Sequence, residues 1–200
     1  MTHRAKPRNR LRIIGGRWRR RTIVFPAHRN LRPTPDRVRE TLFNWLQNHI
    51  PGSCCLDLFA GSGALGLEAL SRGARHVDFV EQSRPVAEAL AANLKQLSPS
   101  HARVWPIAAG QFLRQANQSY DIVFLDPPYD SPALTETLQF LASRPLLASP
   151  AWLYVESRRG RTLPPIPRTW HRHRHCIAGD VRAELYRVSP ETPETDLDPI

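Results

Sequence analysis

Leu56-Asp57-Leu58-Phe59-Ala60-Gly61-Ser62-Gly63-Ala64-Leu65-Gly66 runs from an apolar strand through a glycine turn into a helix. Gly61, Gly63 and Gly66 fit G-x-G-x-x-G. Glycines let the backbone approach a ligand and let the helix start against the strand. Glu81 lies 20 residues beyond Gly61, at the end of the next predicted strand. A carboxylate there can accept hydrogen bonds from both hydroxyls of a ribose. Strand, turn, helix and acid together indicate a nucleoside-containing cofactor. NAD enzymes share the pattern, and a tight turn without a ligand is the bland alternative.

Outward from this turn the chain alternates strand and helix. The pattern predicts strands at 54–59, 75–80, 102–107, 121–126 and 151–156, and helices at 63–72, 84–97, 109–116 and 132–142. Val86, Leu90, Leu94 and Leu97 mark one apolar helix face, and Leu134, Leu138 and Leu141 another. Repeated βα units imply a mostly parallel sheet with helices on both sides. Segments 170–176 and 181–187 flank Ala178-Gly179-Asp180 and predict a C-terminal antiparallel hairpin. Upstream, Thr34-Pro35-Asp36 opens a helix, with threonine as the cap and proline in the first position. Segments 11–14 and 22–25 predict two short strands, with Gly15-Gly16 as turn chemistry between them. Residues 1–10 and 189–200 carry no pattern and are expected to lack structure. The division expected is a basic arm with a short hairpin (1–33), an α/β domain (34–188) and an acidic tail (189–200).

The net charge of +10 is placed unevenly along the 200 residues. Residues 1–35 hold eleven Lys or Arg and no acid, so the remainder is near neutral. A basic arm attracts a polyanion and speeds encounter with it. Trp18 sits among Arg17, Arg19, Arg20 and Arg21. It either stacks on RNA while the arginines neutralise phosphates, or pins the arm to the body. His171, His173 and His175 alternate with Arg172 and Arg174, which on a regular strand would put the imidazoles on one face. No carboxylate or cysteine is spaced to complete a metal site, so no metal is expected and a solvated or RNA-facing strand is. Cys54, Cys55 and Cys176 form no disulfide framework. No apolar run approaches a membrane span, and no secretory signal follows the basic start. A cytoplasmic monomer is expected.

Tyr120-Asp121-Ile122-Val123-Phe124-Leu125-Asp126-Pro127-Pro128-Tyr129 carries the chemistry. Two prolines stiffen the backbone and remove two N–H donors. What remains offers acceptors, the Asp126 carboxylate and the Pro127 carbonyl, beside the aromatic face of Tyr129. An exocyclic amine on a nucleobase is a poor nucleophile because its lone pair is delocalised into the ring. Two acceptors on its N–H bonds localise that lone pair and aim it at a methyl donor, while Tyr129 stacks on the base. An ordinary strand-ending turn is the alternative. Its place at the carboxyl end of a strand favours the functional reading, since open α/β sheets bind ligands there.

These residues resemble a known family. Asp57 to Gly63 together with Asp126-Pro127-Pro128-Tyr129 is similar to class I amino-methyltransferases. Arg32-Pro33-Thr34-Pro35-Asp36-Arg37-Val38-Arg39-Glu40-Thr41-Leu42-Phe43-Asn44-Trp45-Leu46, Arg12-Ile13-Ile14-Gly15-Gly16-Arg17-Trp18 and Tyr154-Val155-Glu156-Ser157 resemble the bacterial RsmD family over roughly residues 11–188. The resemblance implies a Rossmann-like, seven-stranded methyltransferase sheet. It implies S-adenosyl-L-methionine as cofactor, against Asp57, Phe59, Gly61, Gly63, Gly66, Glu81, Gln82 and Ala109. It implies N2 methylation of one guanine of 16S ribosomal RNA, within an assembled or assembling 30S subunit, with Asp126, Pro127 and Tyr129 at the base. Arg17, Trp18, Arg19, Arg20, Arg21, Arg32, Thr34 and Arg37 are the expected RNA contacts. Ile107-Ala108-Ala109-Gly110 departs from the family, whose members usually carry a polar residue there for the adenine; a backbone N–H could substitute, and what contacts the adenine stays open. DNA amino-methylation (adenine N6 or cytosine N4), an NAD oxidoreductase and a non-catalytic RNA-binding factor are the rival readings.

Overall fold

The computed structural model describes residues 8–27, 34–98, 101–129 and 131–189. Expectations for residues 1–7, for Arg32 and for the tail from 190 onward lie outside the described residues. The chain begins with an antiparallel pair, β1 (Arg8–Arg12) and β2 (Thr22–Pro26), then helix α1 (Asp36–Trp45). The alternating body follows: β3 (Cys54–Asp57), α2 (Ala64–Ser71), β4 (His76–Val80), α3 (Arg84–Leu97), β5 (Ala102–Trp105), α4 (Ala109–Gln115), β6 (Tyr120–Leu125) and α5 (Ala133–Ser143). Strands β7 (Leu147–Arg158), β8 (Trp170–Ala178) and β9 (Val181–Val188) complete it.

Seven strands form one sheet in the order β5-β4-β3-β6-β7-β9-β8. The first five run parallel, and β9 inserts antiparallel between β7 and β8. This is the architecture expected from the alternating pattern. The order reverses direction at β3, which pairs with β4 on one side and β6 on the other. Such a switch point opens a crevice at the carboxyl ends of its strands. Every residue of α2 is buried, so this helix is a core element rather than a surface one. It lies between the sheet and the N-terminal hairpin.

The hairpin is no free arm. Leu11, Ile13, Trp18, Ile23 and Phe25 are buried in the same apolar cluster as Leu42, Leu67, Leu90 and Phe124. The boundary expected at residue 33 therefore does not separate two packing units. The first strand also starts earlier than expected, at Arg8. Gly15-Gly16 is not a two-residue hairpin turn: residues 13–21 make a longer connection containing a 3-10 turn at Gly16–Trp18. The glycines serve close approach to α2 instead. A Cβ on Gly16 would sit 1.9 Å from the Ser71 carbonyl oxygen, and Gly16 has φ +72°. Ser71 Oγ donates to the Gly15 carbonyl and accepts from the Trp18 N–H at 3.0 Å.

One buried acid fastens this junction. Glu68 accepts from the backbone N–H of Ile14 and Gly15, from Arg39 at 3.2 Å and from Arg72 at 3.2 Å. Arg39 is itself fully buried and also donates to Asp36 at 2.6 Å and to the Arg12 carbonyl at 3.1 Å. Helix, hairpin and α2 thus share one charged knot.

At the far edge, a register shift between Arg172 and Arg174 alters the alternation of β8. His171 pairs with Arg187, on the face of Trp152, and the His173 ring lies 5.1 Å from the Trp152 ring. His175 pairs with Glu184 on the other face. The expectation that all three imidazoles share a face is therefore corrected, because an extra residue inverts the pleat.

Candidate active site

The glycine turn leaves the carboxyl end of β3, and the Asp126 turn leaves the carboxyl end of β6. These strands are parallel neighbours, with Asp57 opposite Phe124. The Leu58 N–H donates to the Phe124 carbonyl at 3.2 Å and carries the pairing to the tips. Glu81 follows β4, on the other side of β3, and Ala109 opens α4 just beyond β5. The proposed cofactor and base residues thus share one edge of one sheet.

Within the glycine turn, Gly61 and Gly63 have φ +51° and +79°, which favours glycine. Packing adds its own demand. A Cβ on Gly63 would meet Leu90 at 2.4 Å, and one on Gly66 would meet the Phe79 ring at 2.3 Å. The third glycine is therefore needed for helix against strand. Asp57 is buried and accepts from the Gly66 N–H at 2.9 Å, which locks the turn to the start of α2. Burial pushes the Asp57 carboxyl up to about 7, against the pull of that hydrogen bond. Glu81 accepts from the Gly61 N–H at 3.0 Å and the Ser83 N–H at 2.6 Å. Both its oxygens are oriented by backbone and keep lone pairs for a ligand. Phe59 and Ala109 are half-buried beside the crevice edge and Gln82 is exposed.

At the second turn Pro127 is buried, while Asp126 and Tyr129 are half-buried. The Thr34 hydroxyl donates to Asp126 at 3.2 Å. This corrects the reading of Thr34 as a helix cap: Pro35 is the cap residue of α1, and no side chain caps it. The threonine instead brings the start of α1 to the Asp126 carboxylate. The Tyr129 hydroxyl donates to Glu156 at 2.8 Å, and the Tyr154 hydroxyl to the other Glu156 oxygen at 2.9 Å. Asp126 and Glu156 lie close enough for each to influence the charge of the other. Burial and then the Glu156 charge push the Asp126 carboxyl well above the usual carboxylate range. Burial likewise raises Glu156, against the pull of the tyrosine and threonine hydroxyls. Arg161 clamps the turn from outside, donating to the carbonyls of Tyr129 and Ser131 at 2.5 and 3.0 Å.

Sequence reasoning gave Glu156 no role and passed over Arg161. Glu156 is buried at the end of an apolar run, which was its available signal. Arg161 lies in an irregular segment, where sequence spacing says nothing of contacts.

Asp57, Glu81, Asp126 and Glu156 make this edge acidic, and none of them is paired with an arginine or lysine among the described residues. Four carboxyl groups at one sheet edge with no counter-cation suit a cationic ligand. They repel the pyrophosphate of a dinucleotide. The donor set therefore fits S-adenosylmethionine, whose sulfonium is positive, better than NAD.

Of the expected RNA contacts, Arg17, Arg19, Arg20, Arg21 and Arg37 are exposed. Trp18 is not available for stacking on RNA, which corrects that expectation. Its indole is 7% exposed, lies in the core, and carries the Arg17 guanidinium 4.3 Å from its ring centroid. The pinning alternative is the one the structure shows.

The family model described as "Conserved hypothetical protein 95" matches residues 11–187. Ribosomal RNA small subunit methyltransferase D of Escherichia coli (strain K12) is 47% identical over 94% of this chain and 94% of its own length. The chain belongs to the RsmD family. The Haemophilus influenzae member is 41% identical over 88% of this chain and 93% of its own. The solved structure of yhhF from Escherichia coli, described as a methyltransferase, superposes with a TM-score of 0.85 at 45% identity. It covers 90% of this chain and 99% of that one. As an RsmD-family member the chain is a methyltransferase with S-adenosylmethionine as its cofactor. Among the described residues no helix is long and apolar enough to cross a membrane.

Proposed function

We propose that this protein transfers a methyl group from S-adenosylmethionine to the exocyclic N2 amine of one guanine in 16S ribosomal RNA. The substrate is an assembling 30S subunit, and the protein works in the cytoplasm as a monomer. The observation that carries the reading is the pairing of two tips: the glycine turn and the Asp126 turn leave the same end of two adjacent parallel strands, β3 and β6. When bound, the cofactor supplies an electrophilic methyl on sulfur. Glu81 would hold its ribose, and Asp57 and Gly61 to Gly63 would shape the turn beneath it.

The chain's own residues prepare the amine. The Asp126 carboxylate and the Pro127 carbonyl accept its two N–H bonds, so its lone pair points across the crevice. Tyr129, tethered by Glu156 and clamped by Arg161, holds the base in plane. The amine becomes acidic only as the new N–C bond forms, and Asp126 then takes the proton. The deciding experiment is mass-spectrometric mapping of methylated guanines in 16S rRNA from cells with and without the gene. An unchanged methylation pattern would reject the rRNA assignment. Methyl on adenine N6 or cytosine N4 of DNA would instead establish the rival substrate.

Two further results are expected. Methyl transfer should rise with pH through a midpoint above the ordinary carboxylate range, because Asp126 acts ionised and its neighbour Glu156 raises it. Glu156→Gln removes that adjacent charge and should move the midpoint down. A single-turnover pH profile reads this directly, and an unmoved midpoint would uncouple the two carboxyls. Converting Arg17, Arg19, Arg20 and Arg21 to Gln should weaken RNA binding and flatten its salt dependence by up to about four phosphate contacts. Binding titrations at several salt concentrations test it, and an unchanged slope would remove the hairpin from the interface.

A further inference from the structure

A second basic surface lies at the opposite end of the sheet. An open cavity of about 480 Å³ is lined by Gly16, Arg17, Arg72, Gly73, Arg75 and His101, among others, with no acid in its wall among the described residues. Arg75 directly precedes β4, and His101 directly precedes β5, so the cavity sits where the strands begin. Asp126, Glu81 and the glycine turn sit where they end. At about 3.3 Å per residue, a five-residue strand puts roughly 15 Å between the two ends.

The guanidinium groups around this cavity are held in place. Arg17 is stacked on Trp18. Arg72 is tied to Glu68 at 3.2 Å. Arg75 donates to the Gly52 carbonyl at 3.3 Å and to Cys54 Sγ at 3.0 Å. Neither Arg17 nor Arg75 has a carboxylate partner among the described residues. Each planar fork keeps donors to spare, and less side-chain entropy is lost when a pre-set fork binds. Gly16 and Gly73, both with positive φ, leave backbone rather than side chain in the wall. A cavity of this size, positive and without acids, fits a phosphodiester group of an RNA backbone.

We infer that the cavity between the 3-10 turn of the hairpin and the starts of β4 and β5 is a second RNA phosphate site, remote from the methyl-transfer crevice. The inference rests on the proposed rRNA substrate and adds a requirement to it. An RNA that reaches both ends of the sheet has to extend past the target nucleotide, so a fragment carrying little beyond the target guanine engages half the protein.

Arg75→Glu tests it in the full-length protein. The probe is duplex RNA of arbitrary sequence, titrated across a salt series, beside methyl transfer to small-subunit particles. The expected result is weaker duplex binding with a salt slope flatter by about one or more. Transfer should show a raised KM for particles with kcat and S-adenosylmethionine binding unchanged. His101→Glu, on a different wall, should do the same and covers the case in which Arg75→Glu fails to fold. Unchanged slopes in a folded variant overturn the inference. Failure of the wild type to methylate small-subunit RNA would reject the substrate instead, and the duplex titration still decides the phosphate site.

Discussion

Asp126→Ala is expected to lower methyl transfer about 10³-fold, with S-adenosylmethionine binding nearly unchanged. In the proposed mechanism the carboxylate orients the amine and takes its proton, and both functions are needed only along the reaction path. Losing such an interaction falls on kcat rather than on binding. Asp126→Asn keeps one acceptor oxygen but no charge, so it should lie between the alanine variant and the wild type. The two variants separate orientation from proton uptake. Near-normal turnover in Asp126→Ala would take this residue out of the mechanism.

The same side chain carries a stability signature of defined sign. Burial and Glu156 raise the Asp126 carboxyl in the folded protein. The folded state therefore binds this proton more tightly than the unfolded state does. A carboxyl raised in this way costs stability as pH climbs from its unfolded value, about 3.9, through its folded one. Asp126→Asn removes the cost, so it should melt at or above the wild type at pH 8. That advantage should vanish in acid, where both forms are neutral. Melting curves at pH 4 and pH 8 read the difference, and a variant less stable at pH 8 than at pH 4, relative to wild type, contradicts the burial argument. A group that destabilises the fold while driving turnover is what a functional site looks like energetically.

The parallel sheet was legible in the sequence because each βα unit announces itself locally. Apolar runs end in turns, and Val86, Leu90 and Leu94 repeat at helical spacing and are buried as that spacing requires. The two candidate site turns were legible for the same reason, since glycine and proline act on the backbone where they stand. Contacts between distant segments were not legible. Thr34 reads as a cap, and only the fold shows its hydroxyl on Asp126, 92 residues away. Glu156 has no role that the sequence assigns, and only the fold shows it 3% exposed and holding two tyrosine hydroxyls. Trp18 among arginines reads equally as a stacking platform or an anchor, and burial decides between them. The Gly15-Gly16 pair signals a turn, but the reason for it is the Ser71 carbonyl beneath. Sequence periodicity carries which face of an element is buried, and it does not carry what lies opposite.

Glu68→Ala is expected to be the most destabilising single change in the N-terminal half. The acid is completely buried and satisfies two backbone N–H groups and two guanidinium groups. Removing one partner of a buried charge pair costs about 3–5 kcal/mol, since the other charge is left without compensation. Here the charge left short is Arg39, fully buried, which keeps only its 2.6 Å ion pair to the largely exposed Asp36 and whose Nε already lacks a partner. For a chain of this size the loss corresponds to a melting temperature lower by roughly 10 °C. Glu68→Gln keeps an acceptor and loses the charge, so it should fall part-way. Arg39→Leu in the Glu68→Leu background should restore some of the loss, because the fully buried guanidinium then goes with its acid. The effect should also be local before it is global. Ile14 and Gly15 hang their amides on this carboxylate, so hydrogen exchange at these two positions should accelerate more than exchange in β3 or β6. With the hairpin loosened, Arg17 leaves its fixed seat on Trp18, and RNA affinity should drop even where the methyl-transfer crevice is intact. Uniform acceleration across the sheet, with the hairpin no worse than the core, would mean that Glu68 supports the fold as a whole rather than the docking of this segment.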